Sequence, residues 1–305
     1  MHVAIAIVGF RNPDDILGCL DALALSTHGD FEVVICENGG PEAFAALTAR
    51  LPTDVGAGRP IRAVLAMSNL GYAGGVNVCL RETPGADAWW VLNPDTVPDP
   101  TALRAMIARL ERGDCDAVGS VVYTGRGTIQ SVGGRWLGVL ARAVSIGHGQ
   151  PLECLPALAV DAEARQNYLN GASMLVSAHF LEVAGPMRED YFLYCEEVEW
   201  CLRAQTRGLR LGFAVEARVM HHQGTSTGYT AEIRRQGRMP VYLNERNRLL
   251  VTRDLTPRWL PLTAVFAIAL MLARFARRGA WRQLGYALQG WQAGLRGERG
   301  PPAWV

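Results

Sequence analysis

The chain has 305 residues, of which 49% are hydrophobic and 19% charged, and its formal net charge is +1. Such a composition excludes disorder and supplies a large core, enough for one big α/β domain or one domain with an appendage. The overall field selects no partner, but the charge is unevenly placed. All 30 cationic residues are arginine. Residues 258–305 carry +6 and hold four of the eight tryptophans, and the remainder carries −5. The basic residues cluster with tryptophan and aliphatics, not along a polar face, so a nucleic-acid partner is not expected. Seven cysteines without a CxxC pair read as small core residues in a reducing compartment. The N-terminus lacks the basic segment of a secretion signal, so a cytosolic protein is expected.

The apolar, β-branched run at 2–8 predicts a strand. "PDDILGCLDALALS" follows with helical spacing at Ile16, Leu17, Leu20 and Leu23. Strands are predicted at 31–38, 61–67 and 88–93, and helices at "PEAFAALTARL", "GGVNVCLRE" and 100–112. Strand and helix thus alternate four times, which predicts a mostly parallel sheet with helices on both faces. Ligands of such sheets sit outside the carboxyl ends of the strands. "ENGG", "SNLGYAGGVN" and "NPDT" fall at those ends. Residues 113–165 begin with a strand, "DAVGSVVY". A Gly-rich stretch without clear period follows, read as loop or small hairpins. A strand "YLNGASMLVS", a helical turn "FLEVAGPM", a helix "EEVEWCLRAQTRG" and strands through "LRLGFAVEARVMHH" complete the prediction.

Four stretches carry chemistry. Asp95 ends an apolar strand between prolines, where a carboxylate can hold a divalent cation against a diphosphate or cap the next helix. "NLGYAGGVN" (69–77) can pass its backbone close to a ligand and open a helix toward phosphate, or simply make a tight turn. "YFLYCEEVEW" places Glu196, Glu197 and Glu199 beside four aromatics. That setting raises a carboxylate pKa and suits a general base, the bland alternative being an acidic first helical turn. His221 and His222 end an apolar strand on opposite faces, so at most one joins a given site.

In order and spacing these stretches resemble glycosyltransferase family 2, the inverting GT-A enzymes, and especially its bacterial rhamnosyltransferase-like branch. The resemblance spans about residues 3 to 250. It rests on "ENGG", "NLGYAGGVN", "LNPD", "NGASMLV", "GPMREDYFLYCEEVEWCLR", "HHQGTS" and "YLNERNRLLV". It implies a GT-A domain over 1–250, with a nucleotide-sugar half at about 1–122 and an acceptor half at about 123–250, then a helical tail at 251–305. Glu37 and Asn38 would contact the nucleoside, with Asn69, Gly71, Asn77 and Asn93 around the sugar nucleotide. Asp95 would bind Mg²⁺ or Mn²⁺ on the diphosphate. One of His221 or His222 would complete the metal shell, with His221 preferred from its spacing to Ser226. Glu197 would be the base, and Glu196 and Glu199 would orient it or hold the acceptor. Gly171, Trp200 and Arg246 would lie on the acceptor side. Positions 37, 197 and 199 carry Glu where the family usually has Asp. The extra methylene favours a competing reading, a non-catalytic membrane-docked homologue. A sugar nucleotidyltransferase is a poorer match because no basic Gly-rich loop opens the chain.

The tail has an uncharged apolar run from Trp259 to Ala273, 15 residues and shorter than the roughly 20 that span a bilayer. With the Arg- and Trp-rich segment after it, the run predicts two helices in the membrane interface of the cytoplasmic face. The alternatives are a cap on the core or a homodimer interface. Interfacial binding suits a lipid-linked saccharide acceptor. By resemblance the donor is dTDP-rhamnose.

Overall fold

The computed structural model describes residues 1–222 and 232–305. Its first half alternates as predicted. Strands β1 (Val3–Gly9), β2 (Phe31–Glu37), β3 (Ile61–Leu65) and β4 (Ala88–Leu92) are joined by helices α1 (Pro13–Ala24), α2 (Pro41–Thr48) and α3 (Gly71–Glu82). A short strand β5 (Thr96–Pro98) and helix α4 (Ala102–Leu110) follow β4. Proline opens α1 and α2, where its missing N–H costs nothing.

Strand β6 (Ala117–Tyr123) leads into the stretch without sequence period. It folds as β7 (Ile129–Ser131), the hairpin β8 (Gly134–Leu137) and β9 (Arg142–Ser145), and helix α5 (Leu155–Arg165), which the sequence reading did not anticipate. Then come β10 (Ser173–Ser177), α6 (Ala178–Ala184), α7 (Glu196–Thr206) and the long β11 (Leu211–His221). Helices α8 (Arg238–Leu255), α9 (Leu260–Ala276) and α10 (Trp281–Arg296) end the chain.

The main sheet has the order β3-β2-β1-β4-β10-β6-β11-β5, with β7 beside β6. The expected mostly parallel sheet is corrected to a mixed one. Pairs β3-β2, β2-β1 and β1-β4 are parallel, but β10 runs antiparallel to both β4 and β6, and β5 antiparallel to β11. Strand alternation divides the core between the two faces. Ile5, Ile7, Trp90 and Leu92 pack with α1 and α4, while Ala4, Val8, Trp89 and Val91 pack with α3, α6 and α7.

The helical segment Pro257–Ala276 has 20 residues, and an 18-residue stretch of it reaches a mean hydropathy of 1.8. That exceeds the 15-residue run in the sequence, because a 3-10 turn at Pro257–Trp259 runs into α9. By length and composition it is enough to cross a membrane. One face, with Ala264, Ala267, Met271 and Phe275, is buried, and the Trp291 indole of α10 donates to the Ala264 carbonyl. The opposite face exposes Leu262, Val265, Phe266, Leu270 and Leu272. Helix α10 lies close on α8 because Gly290 and Gly294 present no side chain. A Cβ at Gly290 would fall 2.2 Å from the Tyr242 carbonyl oxygen.

Candidate active site

A cleft of about 560 Å³ opens beyond the carboxyl ends of β1, β2 and β4. Asn38, Asn69, Gly71, Asn93 and Asp95 line one part of it, and Gly171, Tyr194, Glu196, Glu197 and His221 also face it. Residues from both halves of the chain therefore share one cavity.

The N-terminus of α3 forms part of the wall. Asn38 Nδ2 donates to the Gly71 carbonyl at 2.8 Å, and Asn69 Oδ1 accepts the Gly71 N–H at 3.0 Å. Gly71 has φ +70°, and a Cβ there would come within 2.1 Å of the Phe192 carbonyl oxygen, so no other residue fits. The next residue makes the crossing contact. Tyr72 N–H donates to that same carbonyl at 2.7 Å, and its hydroxyl donates to the Gly171 carbonyl at 2.6 Å. Burial, then the carboxylates of Glu196, Glu197 and Asp95, hold the Tyr72 phenol well above its ordinary pKa. One ring thus senses all three acids.

Asp95 and His221 meet because β5 pairs antiparallel with β11, setting His221 opposite Thr96. His221 Nε2 lies 3.1 Å from Asp95 Oδ1, both side chains being largely buried. His222, one residue on, is exposed and approaches Asp95 only through its backbone N–H, at 3.0 Å to the Asp95 carbonyl. The period of two places His222 on the other face, away from the cleft. Ser226, the basis for preferring His221 in the sequence, lies outside the described residues, as does the rest of that motif after His222.

Gln130 on β7 fixes the imidazole. Its Nε2 donates to the His221 carbonyl at 2.8 Å, which leaves Oε1 facing His221 Nδ1 at 2.8 Å. A carbonyl-type oxygen accepts, so Nδ1 carries the proton and Nε2 is the nitrogen presented toward Asp95. Asn93 Nδ2 lies 3.4 Å from Nε2, and Asn93 Oδ1 is buried without a partner among the described residues. A carboxylate, an imidazole nitrogen and an adjacent orphaned amide oxygen are donors that suit Mg²⁺ or Mn²⁺ when phosphate oxygens supply further ligands. Among the described residues no group of three His, Cys, Asp or Glu forms a self-sufficient metal cage.

The acidic helix is entered through a strained loop. Phe192, Tyr194 and Cys195 all have positive φ, at 68°, 72° and 67°. Asn247 Nδ2 reaches three carbonyls of this loop, those of Tyr191, Leu193 and Tyr194, at 2.7–3.0 Å. Glu196 and Glu197 then open α7. Glu196 is buried, its Oε2 without a partner among the described residues, while Glu197 is open to the cleft and packs near Gly171. Burial, followed by the charge of Glu197, pushes the Glu196 carboxyl well above the ordinary range. Burial likewise lifts Glu197 to about 7, against backbone N–H groups that pull it down. At neutral pH Glu197 is the better proton acceptor of the two.

Besides His222, five expected site residues stand outside the lining of the cleft. Glu37 is buried behind the wall: Oε1 accepts the backbone N–H groups of Gly39 and Arg11 at 2.6 and 3.1 Å, and Oε2 has no partner among the described residues. Asn77 points to the far side of α3 and grips the Met187 backbone through both N–H and carbonyl, so it braces the segment before α7. Glu199 is held by Arg203, one helical turn on, at 2.8 Å. Trp200 is buried edge-on against Phe180, its indole donating to the Gly185 carbonyl. Arg246 lies behind the loop, donating to the carbonyls of Tyr191 and Gly300. These placements share a cause, since a motif names a residue type but not the face of the helix or strand it occupies. Conversely, Tyr72, Gln130, Asn170, Asn244 and Asn247 were not singled out. Tyr72, Asn170, Asn244 and Asn247 lie inside the quoted "NLGYAGGVN", "NGASMLV" and "YLNERNRLLV", and Gln130 alone lies outside every stretch that the reading marked.

Similarity to known proteins shows that the class is glycosyltransferase. The chain belongs to the glycosyltransferase-like family 2, whose model matches residues 2–240. It is 22% identical over 258 residues to the low-salt glycan biosynthesis hexosyltransferase of Haloferax volcanii, covering 83% of this chain and 76% of that protein. It is 25% identical over 232 residues to an O-antigen biosynthesis protein of Myxococcus xanthus, covering 72% of this chain but only 17% of that protein. The fold is GT-A-like. It matches the mannosyltransferase of Pyrobaculum calidifontis, solved with GDP-mannose and Mn²⁺, at a TM-score of 0.58 and 14% identity, over 96% of this chain and 87% of the other.

Proposed function

We propose that this chain is a metal-dependent inverting glycosyltransferase that moves a hexose from a nucleoside-diphosphate sugar to a saccharide hydroxyl in polysaccharide assembly. The observation that carries the reading is the shared cleft, which joins the Asp95–His221 pair to the Glu197 carboxylate. The donor lies along Asn38, Asn69 and Asn93, its diphosphate toward Asp95 and His221. A divalent ion bound there would neutralise the charge that develops on the leaving diphosphate. Glu197 takes the proton of an acceptor hydroxyl. The freed oxygen electron pair attacks the anomeric carbon as the bond to the diphosphate oxygen breaks, and the configuration inverts. The proton stays on Glu197 until product leaves, and no covalent enzyme intermediate forms.

Motif resemblance favours dTDP-rhamnose as donor. The exposed face of α9, flanked by Arg258, Arg274, Arg277, Arg278 and Arg282, supports docking on the anionic cytoplasmic face of a membrane and hence a lipid-linked acceptor. The test is Mn²⁺-dependent binding and slow hydrolysis across a panel of sugar nucleotides. One donor should bind with metal, Asp95→Ala should lose it, and Glu197→Gln should bind without turnover. Binding that ignores Asp95 overturns the site.

A further inference from the structure

The segment after α10 is not a loose tail. It turns at Gly297 and runs back over α8 to the cleft, where Val305 is a lining residue beside Met239 and Asn244. Three sets of contacts hold it there. Arg299 pairs with Asp190 and Asp254, and Asp254 is also bound by Arg188. The Gly300 N–H donates to the Asp190 carbonyl at 2.6 Å, and Arg246 donates to the Gly300 carbonyl at 2.6 Å. Trp304 packs edge-on against Tyr242, ring centroids 5.7 Å apart, with the Arg238 guanidinium 4.3 Å from its ring centre. Charged, backbone and aromatic contacts thus seat one short strap.

The anchors also serve the catalytic loop. Asp190 immediately precedes Tyr191, and the Tyr191 hydroxyl donates to Asp254 at 2.8 Å. Arg246 binds Gly300 with one terminal nitrogen and the Tyr191 carbonyl with the other. Tyr242, against which Trp304 packs, lies in one apolar cluster with Phe192, Leu193, Tyr194 and Met239. The strap therefore reaches the cleft against the 192–194 loop that leads into Glu196 and Glu197.

We propose that residues 299–305 form a wall of the acceptor subsite. With Met239, Leu193 and Phe192, the Val305 side chain adds to a wall whose side chains are apolar apart from the Asn244 amide. Such a wall fits the C–H face of a neutral pyranose, with Asn244 left to bond one hydroxyl. This rests on the transferase reading, and the test separates the two. Full-length wild type, Val305→Ile, Val305→Asp and a variant lacking residues 301–305 are each given the preferred sugar nucleotide with Mn²⁺. Octyl glucoside, octyl galactoside and octyl rhamnoside serve as acceptors. The quantity read is the ratio of transfer to donor hydrolysis, which cancels partial loss of folded enzyme.

Val305→Ile should keep the ratio. Val305→Asp and the shortened chain should lower it about tenfold, as loss of one or two apolar contacts does elsewhere. A ratio unchanged in the shortened chain, or transfer and hydrolysis lost together, overturns the subsite. A wild type that hydrolyses donor but glycosylates none of the three glycosides overturns the neutral-pyranose assignment. A wild type that neither binds nor hydrolyses any sugar nucleotide overturns the transferase reading itself.

Discussion

Replacing Glu197 by glutamine should destroy activity and stabilise the protein, and the stabilisation should depend on pH. Burial carries this carboxyl from an ordinary 4.5 to about 7. At ~1.4 kcal/mol per tenfold, that is a ceiling of ~3 kcal/mol for keeping the charge in the folded state. Glu197 opens on the cleft, where water screens it, so ~1–2 kcal/mol is the expected gain for the neutral isostere. The sign follows from proton uptake. Below pH 4.5 the carboxyl is protonated in folded and unfolded chains alike, and variant and wild type match. As pH rises toward about 7, the unfolded chain has released a proton that the folded chain still holds, so wild-type stability declines. The advantage of Glu197→Gln is then complete by about pH 8. Melting curves at pH 5 and pH 8 should differ by about 2–3 °C in the variant's advantage. Transfer should drop about 10²–10⁴-fold, and wild-type kcat/KM should rise with pH through about 7. An equal advantage at both pH values, or a variant that still transfers sugar, would refute the assignment of a buried, titrating base.

Other consequences are independent of that base. Gln130→Leu removes the acceptor that fixes His221 Nδ1–H, so Mn²⁺ held with a sugar nucleotide should bind about 10–100-fold more weakly, as read by the EPR signal of free Mn²⁺. An unchanged affinity would show that the imidazole needs no such support. Asn247→Ala leaves three loop carbonyls without their shared donor. It should destabilise the fold by ~1–3 kcal/mol in urea melts and reduce kcat about 10²-fold with donor affinity retained. Val265→Asp with Phe266→Ser, on the exposed face of α9, should abolish flotation with liposomes containing anionic lipid while leaving the melting temperature within ~2 °C. Equal flotation of variant and wild type would remove the membrane from the proposal.

The parallel half was legible because its strands are continuous apolar runs and its helices keep their period. Alternation pointed to the ends of β2, β3 and β4, whose stretches supply Asn38, Asn69 and Asp95 to the cleft, while the end of β1, with Val8 and Phe10, was not anticipated. The second half hid its order. Strands β7 to β9 are three or four residues long and sit among glycines, too short for a period to show. Gln130 lies in one of them, so nothing local marked it. Asn93 and His221 are 128 residues apart and meet only through the β5–β11 ladder, which no local pattern encodes. Asp95 stood out because a carboxylate at the end of an apolar run is a local anomaly, and Glu197 as one of three acids beside aromatics, while its choice over its neighbours, and Asn38 altogether, came from the family resemblance. Asn77, Glu199, Trp200 and Arg246 are equally anomalous in sequence. Their partners, Met187, Arg203, Phe180 and the loop carbonyls, turn that polarity or bulk toward support.

Arg246 shows why support is needed there. Positive φ at Phe192, Tyr194 and Cys195 costs ~1–3 kcal/mol each, strain that a chain of L-residues keeps only when its surroundings over-determine it. Here they do, from two directions. Helix α8 holds the loop carbonyls through Asn247 and Arg246, and Arg246 Nε in turn bonds Asn247 Oδ1 at 2.9 Å. Helix α3 holds the Phe192 carbonyl through Tyr72 N–H, at a contact only Gly71 permits. The Gly71 wall of the cleft and the head of α7 are thus fastened to the same loop. A carboxyl at the head of α7 would otherwise be free to turn toward water. Clamped between α3 and α8, it keeps one position, and the Asp95–His221 pair beside β5 and β11 keeps the other, proposed for the metal. The reacting groups then need little rearrangement at the moment of transfer, where a displacement of about 1 Å would cost some 10²-fold in rate.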